Sequence, residues 1–176
     1  MNIGVFCSAN NQIDSAFFDA AEALGQWMAQ HHHTLVYGGC NLGLMEIIGQ
    51  AVHAGGGTTI GVVPRLVEQT GRVSDAVSVT ISCEDLTDRK QIMMDRSDVF
   101  VALPGGIGTL DEIFTVAAMH TIGYHAKKVY LLNLKGFYNP LAAMLEELDK
   151  DGMIRGHWQT YIETVDTLDE LLKKLA

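Results

Sequence analysis

The residues best suited to chemistry lie in the glycine-rich stretch between positions 104 and 112. Val99–Leu103 is an apolar run without charge, which is typical of a strand buried on both faces of a parallel sheet. Pro104 ends this run, because proline donates no hydrogen bond to a ladder. Three glycines follow within four residues, at Gly105, Gly106 and Gly108. Because glycine lets a backbone approach a phosphate, and helix N-termini attract anions, the stretch predicts a phosphate-binding turn.

Glu112, at the end of this stretch, has two interpretations. Thr109 and Glu112 form a Thr-x-x-Glu pattern, which at a helix start is a capping box with a purely structural role. The same tetrapeptide returns at 167–170 without a glycine turn before it, and there it predicts only a cap. The first copy differs because its glycine turn places it at the carboxyl end of a buried strand, where ligands bind in open α/β sheets. Glu112 is therefore a helix cap, a catalytic carboxylate, or both.

The elements that must position these residues alternate between strand and helix along the whole chain. Apolar runs predict strands, and periodicity near 3.6 residues predicts helices. The predicted strands are 2–6, 35–37, 59–63, 77–81, 99–103, 128–132 and 161–165, and the predicted helices are 14–30, 43–54, 86–97, 110–123, 140–151 and 167–175. This alternation indicates an α/β fold, a Rossmann-like doubly wound parallel sheet flanked by helices, in a single domain of residues 1–176. The loops after the first, second, fourth and fifth strands should share one edge of the sheet.

Three further segments carry expectations of their own. Residues 65–75 are polar and irregular, and we interpret them as a mobile loop over a site. The helix predicted at 110–123 is apolar almost all round, so it should be buried on more than one side. Residues 31–33 are three consecutive histidines, which do not converge on one ion and are interpreted as a solvated turn after a helix. Met93 and Met94 are expected in the core.

Composition narrows the class of protein. The chain has 176 residues, of which 48% are hydrophobic, and a formal net charge of −9. This acidity disfavours a nucleic-acid or anionic-membrane surface, and a phosphate must be held by local donors. The cysteines, Cys7, Cys40 and Cys83, are odd in number and lack C-x-x-C spacing, so neither a disulfide framework nor a zinc site is expected. With no signal peptide and no membrane-spanning run, we expect a cytoplasmic protein.

Several motifs, taken in order along the chain, resemble those of one family. Residues 104–112, PGGIGTLDE, fit the pattern PGGxGTxxE, and residues 36–45 are similar to VYGGGxxGLM. Arg89 and Lys90, followed by Met94, resemble RKxxM, and residues 123–125 and 132–138 also match. Because the matches extend over nearly the whole chain, it is similar to the Lonely guy (LOG) family, the cytokinin riboside 5'-monophosphate phosphoribohydrolases.

The resemblance implies hydrolysis of the N-glycosidic bond of a nucleoside 5'-monophosphate, which yields a free base and ribose 5-phosphate. It implies that Glu112 stabilises positive charge on the ribose or activates water, and that Arg89 acts on the leaving base. The substrate-binding residues that it implies are Ser8, Gly39, Lys90, Gly105, Gly106, Gly108, Thr109 and Asp111. No metal or other cofactor is expected. The resemblance also favours a homodimer, in which the partner completes the site.

Departures from the family pattern leave alternatives open. Cys40 and Glu46 stand where the family has glycine, and a carboxylate at Glu46 would repel a phosphate near that helix N-terminus. Residues 86–88 and 119–122 also differ, so AMP or another monophosphate competes with a cytokinin nucleotide as the substrate. The alternative function is a non-catalytic nucleotide or molybdenum-cofactor carrier, which the presence of both Arg89 and Glu112 disfavours. The dinucleotide fingerprint, a P-loop lysine and a marked pyridoxal-phosphate lysine are absent, which disfavours nicotinamide enzymes, NTPases and a lysine decarboxylase.

Overall fold

A seven-stranded parallel sheet runs through the centre of the computed structural model, which describes residues 1–176. The strands are β1 (Asn2–Phe6), β2 (Thr34–Tyr37), β3 (Thr59–Pro64), β4 (Val79–Cys83), β5 (Val99–Ala102), β6 (Val129–Leu132) and β7 (Ile162–Val165). The helices are α1 (Ser15–Gln30), α2 (Gly43–Ala54), α3 (Arg65–Gln69), α4 (Leu86–Arg96), α5 (Ile107–Thr121), α6 (Asn139–Lys150) and α7 (Leu168–Leu175), with short 3-10 turns at Leu134–Gly136 and Trp158–Thr160. None of these helices is both long enough and apolar enough to cross a membrane.

The strand order confirms the predicted doubly wound α/β architecture. Neighbouring strands follow the order β4-β3-β2-β1-β5-β6-β7, and all are parallel. The direction of winding reverses between β1 and β5, whose register pairs Phe6 with Ala102. Ligands in open α/β sheets bind beyond the carboxyl ends of the strands at such a reversal. The glycine turn after β5 therefore lies where a ligand site is expected.

Helices cover the sheet on both faces, and each face has its own apolar core. The helices α1, α2 and α7 pack on one face, with Leu24, Ile48 and Leu171 fully buried there. The helices α4, α5 and α6 pack on the other face. Met93 and Met94 on α4 belong to this second core, which confirms the prediction that they are core residues. A strand with both faces covered needs apolar side chains on both, which explains the continuous apolar run of β5.

The loop after β1 is fastened to the start of α2. The N–H of Leu44 donates to the carbonyl oxygen of Ser8 at 2.9 Å, and the N–H of Gly43 donates to Oδ1 of Asn11 at 2.8 Å. Gly43 has a φ of +60°, and a Cβ at this position would lie 2.7 Å from the Ser8 carbonyl oxygen. Glycine is therefore required at position 43 both by the backbone conformation and by the close approach of the loop.

Several predicted boundaries are wrong. The helix α5 begins at Ile107, three residues before the predicted start, because Gly106 is its N-cap and accepts the N–H of Leu110. The strand β4 begins at Val79 rather than 77, because a turn between Ser74 and Val77 precedes it.

The segment 65–75 is not irregular throughout. It contains the helix α3, and Val73 pairs with Cys40 in an isolated bridge. The segment is thus tied to the loop after β2.

The three histidines at 31–33 follow the end of α1. His31 and His33 pack against Trp27, and His31 is exposed.

We expect Gly43→Ala to destabilise the protein much more than Gly71→Ala. Gly71 also has a positive φ, +67°, but a Cβ there would meet no atom within 4 Å, so its substitution measures the backbone cost alone. That cost is about 1–2 kcal/mol, whereas Gly43→Ala adds the clash with the β1 loop, roughly 1–3 kcal/mol more. Urea denaturation of both variants measures the difference. Equal losses of unfolding free energy would contradict the close approach at Gly43.

Candidate active site

The glycine turn after β5 leads directly into α5. The first N–H groups of an α-helix have no partner within the helix, so those at the start of α5 are available to an anion. Thr109 is the third residue of α5 and is buried. A Cβ at Gly105 would overlap the Thr109 side chain, so glycine is required there by packing. A Cβ at Gly106 or Gly108 would meet no atom within 4 Å, so packing does not explain the glycines at these two positions.

The two copies of Thr-Leu-Asp-Glu have different roles. Thr167 is the N-cap of α7, where its Oγ1 accepts the N–H of Glu170 at 3.2 Å. The Glu170 carboxylate in turn accepts the N–H of Asp166 at 3.0 Å. The first copy lies inside α5, whose N-cap Gly106 offers no side chain. The structure therefore confirms the cap at 167–170 and decides against a capping role for Glu112.

Glu112 forms a buried ion pair with Arg89 instead. Nη2 of Arg89, on α4, donates to Oε1 of Glu112, on α5, and their side chains are 13% and 4% exposed. Burial lowers the pKa of the Arg89 guanidinium from its ordinary value, while nearby cysteines and Asp111 favour its charged form. The Nε–H of Arg89 is buried without a hydrogen-bond partner. The sequence suggested both residues for the site, and the fold brings them into contact across 23 positions.

A second ion pair lies beside the first, on the same two helices. Nζ of Lys90 donates to both carboxylate oxygens of Asp111 at 2.8 Å. Asp111 is half exposed, at 49%, so this pair lies nearer the solvent than the first. Asp85 starts α4 as its N-cap and accepts the N–H groups of Thr87 and Asp88, which fixes the turn that carries Arg89 and Lys90. Two cations and two carboxylates thus face each other between α4 and α5.

Ser8 is brought to the glycine turn by the pairing of β1 with β5. Its N–H donates to the carbonyl oxygen of Pro104 at 3.2 Å. A cleft of about 200 Å³ opens here. The residues that line it are Ser8, Asn10, Ile13, Phe17, Pro104, Gly105, Gly106 and Phe137. One side of the cleft is therefore polar backbone and the other is apolar and aromatic.

The loop after β2 contributes less to the site than the sequence suggested. The N–H groups of Gly43 and Leu44, at the start of α2, are already used by the loop after β1. Gly39 has a φ of +66° and packs against Gly61 and Val63, which gives it a backbone role. The glycine that faces the site is Gly38, where a Cβ would lie 3.2 Å from Nη1 of Arg89. Sequence reasoning missed this residue.

Phe17 and Phe137 were also missed as cleft residues. Their rings meet edge to face, with centroids 5.7 Å apart. For Phe137 the sequence held a signal, because the Gly-Phe-Tyr segment that contains it resembles a family motif. Phe17 could be recognised only as an apolar position of α1.

The arrangement combines a glycine turn at a helix N-terminus with a buried, charge-paired carboxylate at the switch point of a parallel sheet. Such a site can hold a phosphorylated ligand by its phosphate and present a fixed negative charge to it. The fold and the site together define the class of Rossmann-like α/β proteins with a ligand site at the strand reversal.

Comparison with known proteins identifies the family within that class. A sequence profile described as "Possible lysine decarboxylase" matches residues 45–175. The chain is 39% identical over 171 residues to the probable cytokinin riboside 5'-monophosphate phosphoribohydrolase LOGL2 of Oryza sativa, covering 97% of this chain and 70% of that protein. It is 38% identical to the phosphoribohydrolase LOG3 of Arabidopsis thaliana, covering 98% of this chain and 80% of that protein. The chain therefore belongs to the LOG family, as the motifs predicted.

Solved structures share the fold with lower sequence identity. The molybdenum cofactor binding protein of Rippkaea orientalis matches with a TM-score of 0.74 and 26% identity, over 99% of this chain and 96% of that one. The structural-genomics target TM1055 matches with a TM-score of 0.78 and 24% identity, over 99% and 97% of the two chains. The second likeness shows the fold alone, and both confirm the Rossmann-like architecture.

Arg89→Met should destabilise the fold strongly, because it leaves the Glu112 carboxylate buried without a partner. We expect a loss of about 3–5 kcal/mol in the free energy of unfolding. The double variant Arg89→Met/Glu112→Met should recover most of this loss, since buried ion pairs are replaced by apolar pairs at little cost. Lys90→Met is the matched control on the adjacent, more exposed pair and should cost less than about 1 kcal/mol. Chemical denaturation measures the free energy of unfolding of each variant. Similar losses for Arg89→Met and Lys90→Met would refute the buried pair.

Proposed function

We propose that the protein hydrolyses the N-glycosidic bond of nucleoside 5'-monophosphates, of the cytokinin riboside or AMP type. The observation that carries this proposal is the Arg89–Glu112 ion pair beside the glycine turn. It is supported by identities of 38–39% to proteins named as cytokinin riboside 5'-monophosphate phosphoribohydrolases. A capping role, the structural alternative for Glu112, does not apply because α5 begins at Ile107.

In the proposed reaction, the bond between the ribose C1' and the base nitrogen breaks and the electron pair leaves with the base. Positive charge then develops on the ribose, as in other glycosidic cleavages. The Glu112 carboxylate, held ionised by its pairing with Arg89, stabilises this charge and accepts a proton from the attacking water. The hydroxide oxygen bonds to C1', Glu112 releases its proton to solvent, and the base takes up one proton from solvent. The products are a free base and ribose 5-phosphate, so atoms and charge balance.

Arg89 has a second part in the proposed mechanism. Its Nη2 is engaged by Glu112, but its buried Nε–H has no partner within the protein. A guanidinium carries five donors, so Arg89 can hold Glu112 and still stabilise negative charge on the departing base. Arg89 lies on α4 and Glu112 lies on α5, so the guanidinium and the carboxylate approach each other from two different helices. Arg89 therefore both orients Glu112 and assists the leaving group.

The glycine turn is the proposed phosphate site. Gly106 and Gly108 are exposed, and nothing in the fold would obstruct side chains there, so their bare backbone suits a close ligand. The N–H groups at the start of α5 supply donors in a molecule whose net charge is −9. Ser8 lies at the same cleft and adds a hydroxyl. Asp111, held by Lys90, is the proposed partner of the ribose hydroxyls.

A carrier function is the second candidate. It is favoured by the likeness to the molybdenum cofactor binding protein of Rippkaea orientalis, at 26% identity. A carrier would need the binding turn but would have no use for a buried carboxylate beside it. The higher identity to the named phosphoribohydrolases therefore makes hydrolysis the stronger proposal.

We also propose that the protein works in a reducing cytoplasm, without nucleic acid as a partner. All three cysteines are free, and Cys7 and Cys83 are buried as thiols. Burial raises the pKa of the Cys7 thiol, which keeps it protonated. The acidic net charge of −9 disfavours contact with phosphate backbones.

Glu112→Gln should lower base release by at least about 100-fold, because the neutral amide cannot stabilise the ribose cation. Glu170→Gln is the matched control, since it changes the same residue of the repeated tetrapeptide, where the side chain only accepts the N–H of Asp166 in the cap of α7 and glutamine can still accept it. Arg89→Ala should also abolish base release. Chromatography of adenine released from AMP measures the rates, with melting temperatures as a check on folding. Equal rates for Glu112→Gln and Glu170→Gln would refute catalysis by Glu112, and no base release from the wild type would favour the carrier function.

We further propose a homodimer in which the exposed apolar face of α5 and α6 is covered by a second copy of this chain. A groove of about 310 Å³ lies on this face, and nine of its ten lining residues are hydrophobic. Phe114 and Leu148 line it, and Met144 and Ile122 are exposed beside it. Phe114 lies on α5, the helix that also carries Glu112, so a partner on this face would contact an element of the site. The helix α5 is apolar almost all round and was predicted to be buried on more than one side, which supports this proposal.

Ala118→Arg tests the dimer, because it places a charge inside this groove. We expect the variant to be monomeric in multi-angle light scattering and to lose most of its base release. Gln26→Arg is the control, since Gln26 lines the polar groove of about 490 Å³ between α1 and α2 on the other side of the sheet. That variant should stay dimeric and active. A wild-type monomer with full activity at working concentration would overturn the proposal.

A further inference from the structure

A chain of hydrogen bonds through the buried residues Asn133 and Tyr138 connects the exposed Asp166, after β7, with the glycine turn. The hydroxyl of Tyr138 donates to the carbonyl oxygen of Leu103 at 2.7 Å, and Tyr138 is only 1% exposed. Its backbone N–H donates to Oδ1 of Asn133 at 2.7 Å. Nδ2 of Asn133 donates to Oδ1 of Asp166 at 2.8 Å and to Oδ1 of Asn139 at 2.9 Å. The mechanism proposed above uses none of these groups.

The Leu103 carbonyl needs this partner because of its position in the chain. The strand β5 ends at Ala102, and Leu103 is the last residue before Pro104, which has no N–H. The N–H of Leu103 still donates to the carbonyl oxygen of Phe6 at 2.9 Å, but its own carbonyl lies beyond the ladder. The Tyr138 hydroxyl therefore fixes the orientation of the peptide that leads into Pro104 and Gly105. Burial raises the pKa of Tyr138, so this hydroxyl keeps its proton and remains a donor.

The same segment also places the aromatic side of the cleft. Phe137 directly precedes Tyr138, packs edge to face on its ring with centroids 4.9 Å apart, and lines the cleft opposite Gly105 and Gly106. The backbone before it, at Lys135 and Gly136, has positive φ values of 56° and 71°. Asn133 stabilises this strained turn through its hydrogen bonds to Asp166 and Asn139. One hydrogen-bond network, centred on the buried Asn133 and Tyr138, therefore supports both sides of the cleft.

We propose that Tyr138 is a positioning residue for the phosphate-binding turn, acting through the carbonyl of Leu103 and anchored by Asn133. It touches neither the reacting atoms nor the ion pair. Its effect is to hold the N–H groups after Pro104 in the direction that a phosphate requires. The inference rests on the proposed function for the identity of the ligand, but the position of the turn can be measured without turnover.

Tyr138→Phe tests the proposal, because it removes the hydroxyl and keeps the ring. We expect the KM for AMP, and the Kd for AMP measured by calorimetry, to rise by about 10-fold, while kcat changes less than about 3-fold. Thr59→Val is the matched control. Thr59 is also fully buried, and its hydroxyl also donates to a carbonyl, that of Ala76 at 2.5 Å, but it lies at the amino end of β3, on the opposite edge of the sheet. Because the Thr59 hydroxyl also accepts the N–H of Ser78 at 2.7 Å, that variant should lose at least as much thermal stability, without any change in KM or Kd.

Two further measurements keep the test decisive. The ¹⁵N–¹H signals of Gly105 and Gly106 should shift in Tyr138→Phe and stay in place in Thr59→Val, whether or not the protein releases base. Asp166→Ala removes one of the two acceptors of Asn133 and should raise KM and Kd by a smaller factor than Tyr138→Phe. This variant replaces Tyr138→Phe as the test if Tyr138→Phe does not fold. Unchanged amide signals and unchanged Kd in Tyr138→Phe would overturn the proposal. Absent base release in the wild type would overturn the proposed reaction alone.

Discussion

The pairing of β1 with β5 is the constraint on which the rest of the site depends. These two strands are far apart in sequence and adjacent in the sheet, and the winding reverses between them. Their ladder brings Ser8 within a hydrogen bond of Pro104, so the loop after β1 and the glycine turn form one cleft. Because the helices that follow the two strands lie on opposite faces of the sheet, no helix covers this cleft. A different neighbour for β5 would leave a glycine turn without the loop that faces it.

The buried ion pair depends on the same arrangement. The helix α4 ends where β5 begins and α5 begins where β5 ends, so Arg89 and Glu112 lie on the two helices that flank one central strand. Each residue alone would be a buried charge with a large desolvation cost, and together they satisfy one another. This explains how a protein with a net charge of −9 can keep a carboxylate beside a turn that is suited to bind phosphate. The adjacent Arg89 cation balances the charge of the ionised carboxylate, so the repulsion that the pair exerts on a more distant anion is reduced.

The comparisons illustrate how little the fold alone says about function. The same sheet and helices match a molybdenum cofactor binding protein with a TM-score of 0.74. The architecture therefore does not separate the proposed functions, and the proposed hydrolysis depends on the charged residues Arg89 and Glu112 of α4 and α5. The repeated tetrapeptide makes the same point within a single chain. Thr-Leu-Asp-Glu is a helix cap at 167–170 and part of a buried ion pair at 109–112, because the glycines before the first copy move the helix start to Ile107.

The sequence by itself determined the order and type of all seven strands and of every α-helix except α3, and it determined the family. Alternating apolar runs and helical periodicity are local properties, and the glycine turn and the Arg-Lys and Glu positions are carried by short motifs. The tertiary structure alone decided that Glu112 meets Arg89, that Gly38 rather than Gly39 faces the guanidinium, and that the start of α2 is filled by the loop after β1. It also decided that Tyr138 holds the carbonyl of Leu103. The first and last of these contacts join residues that are 23 and 35 positions apart, and strand order sets them, which no local pattern encodes.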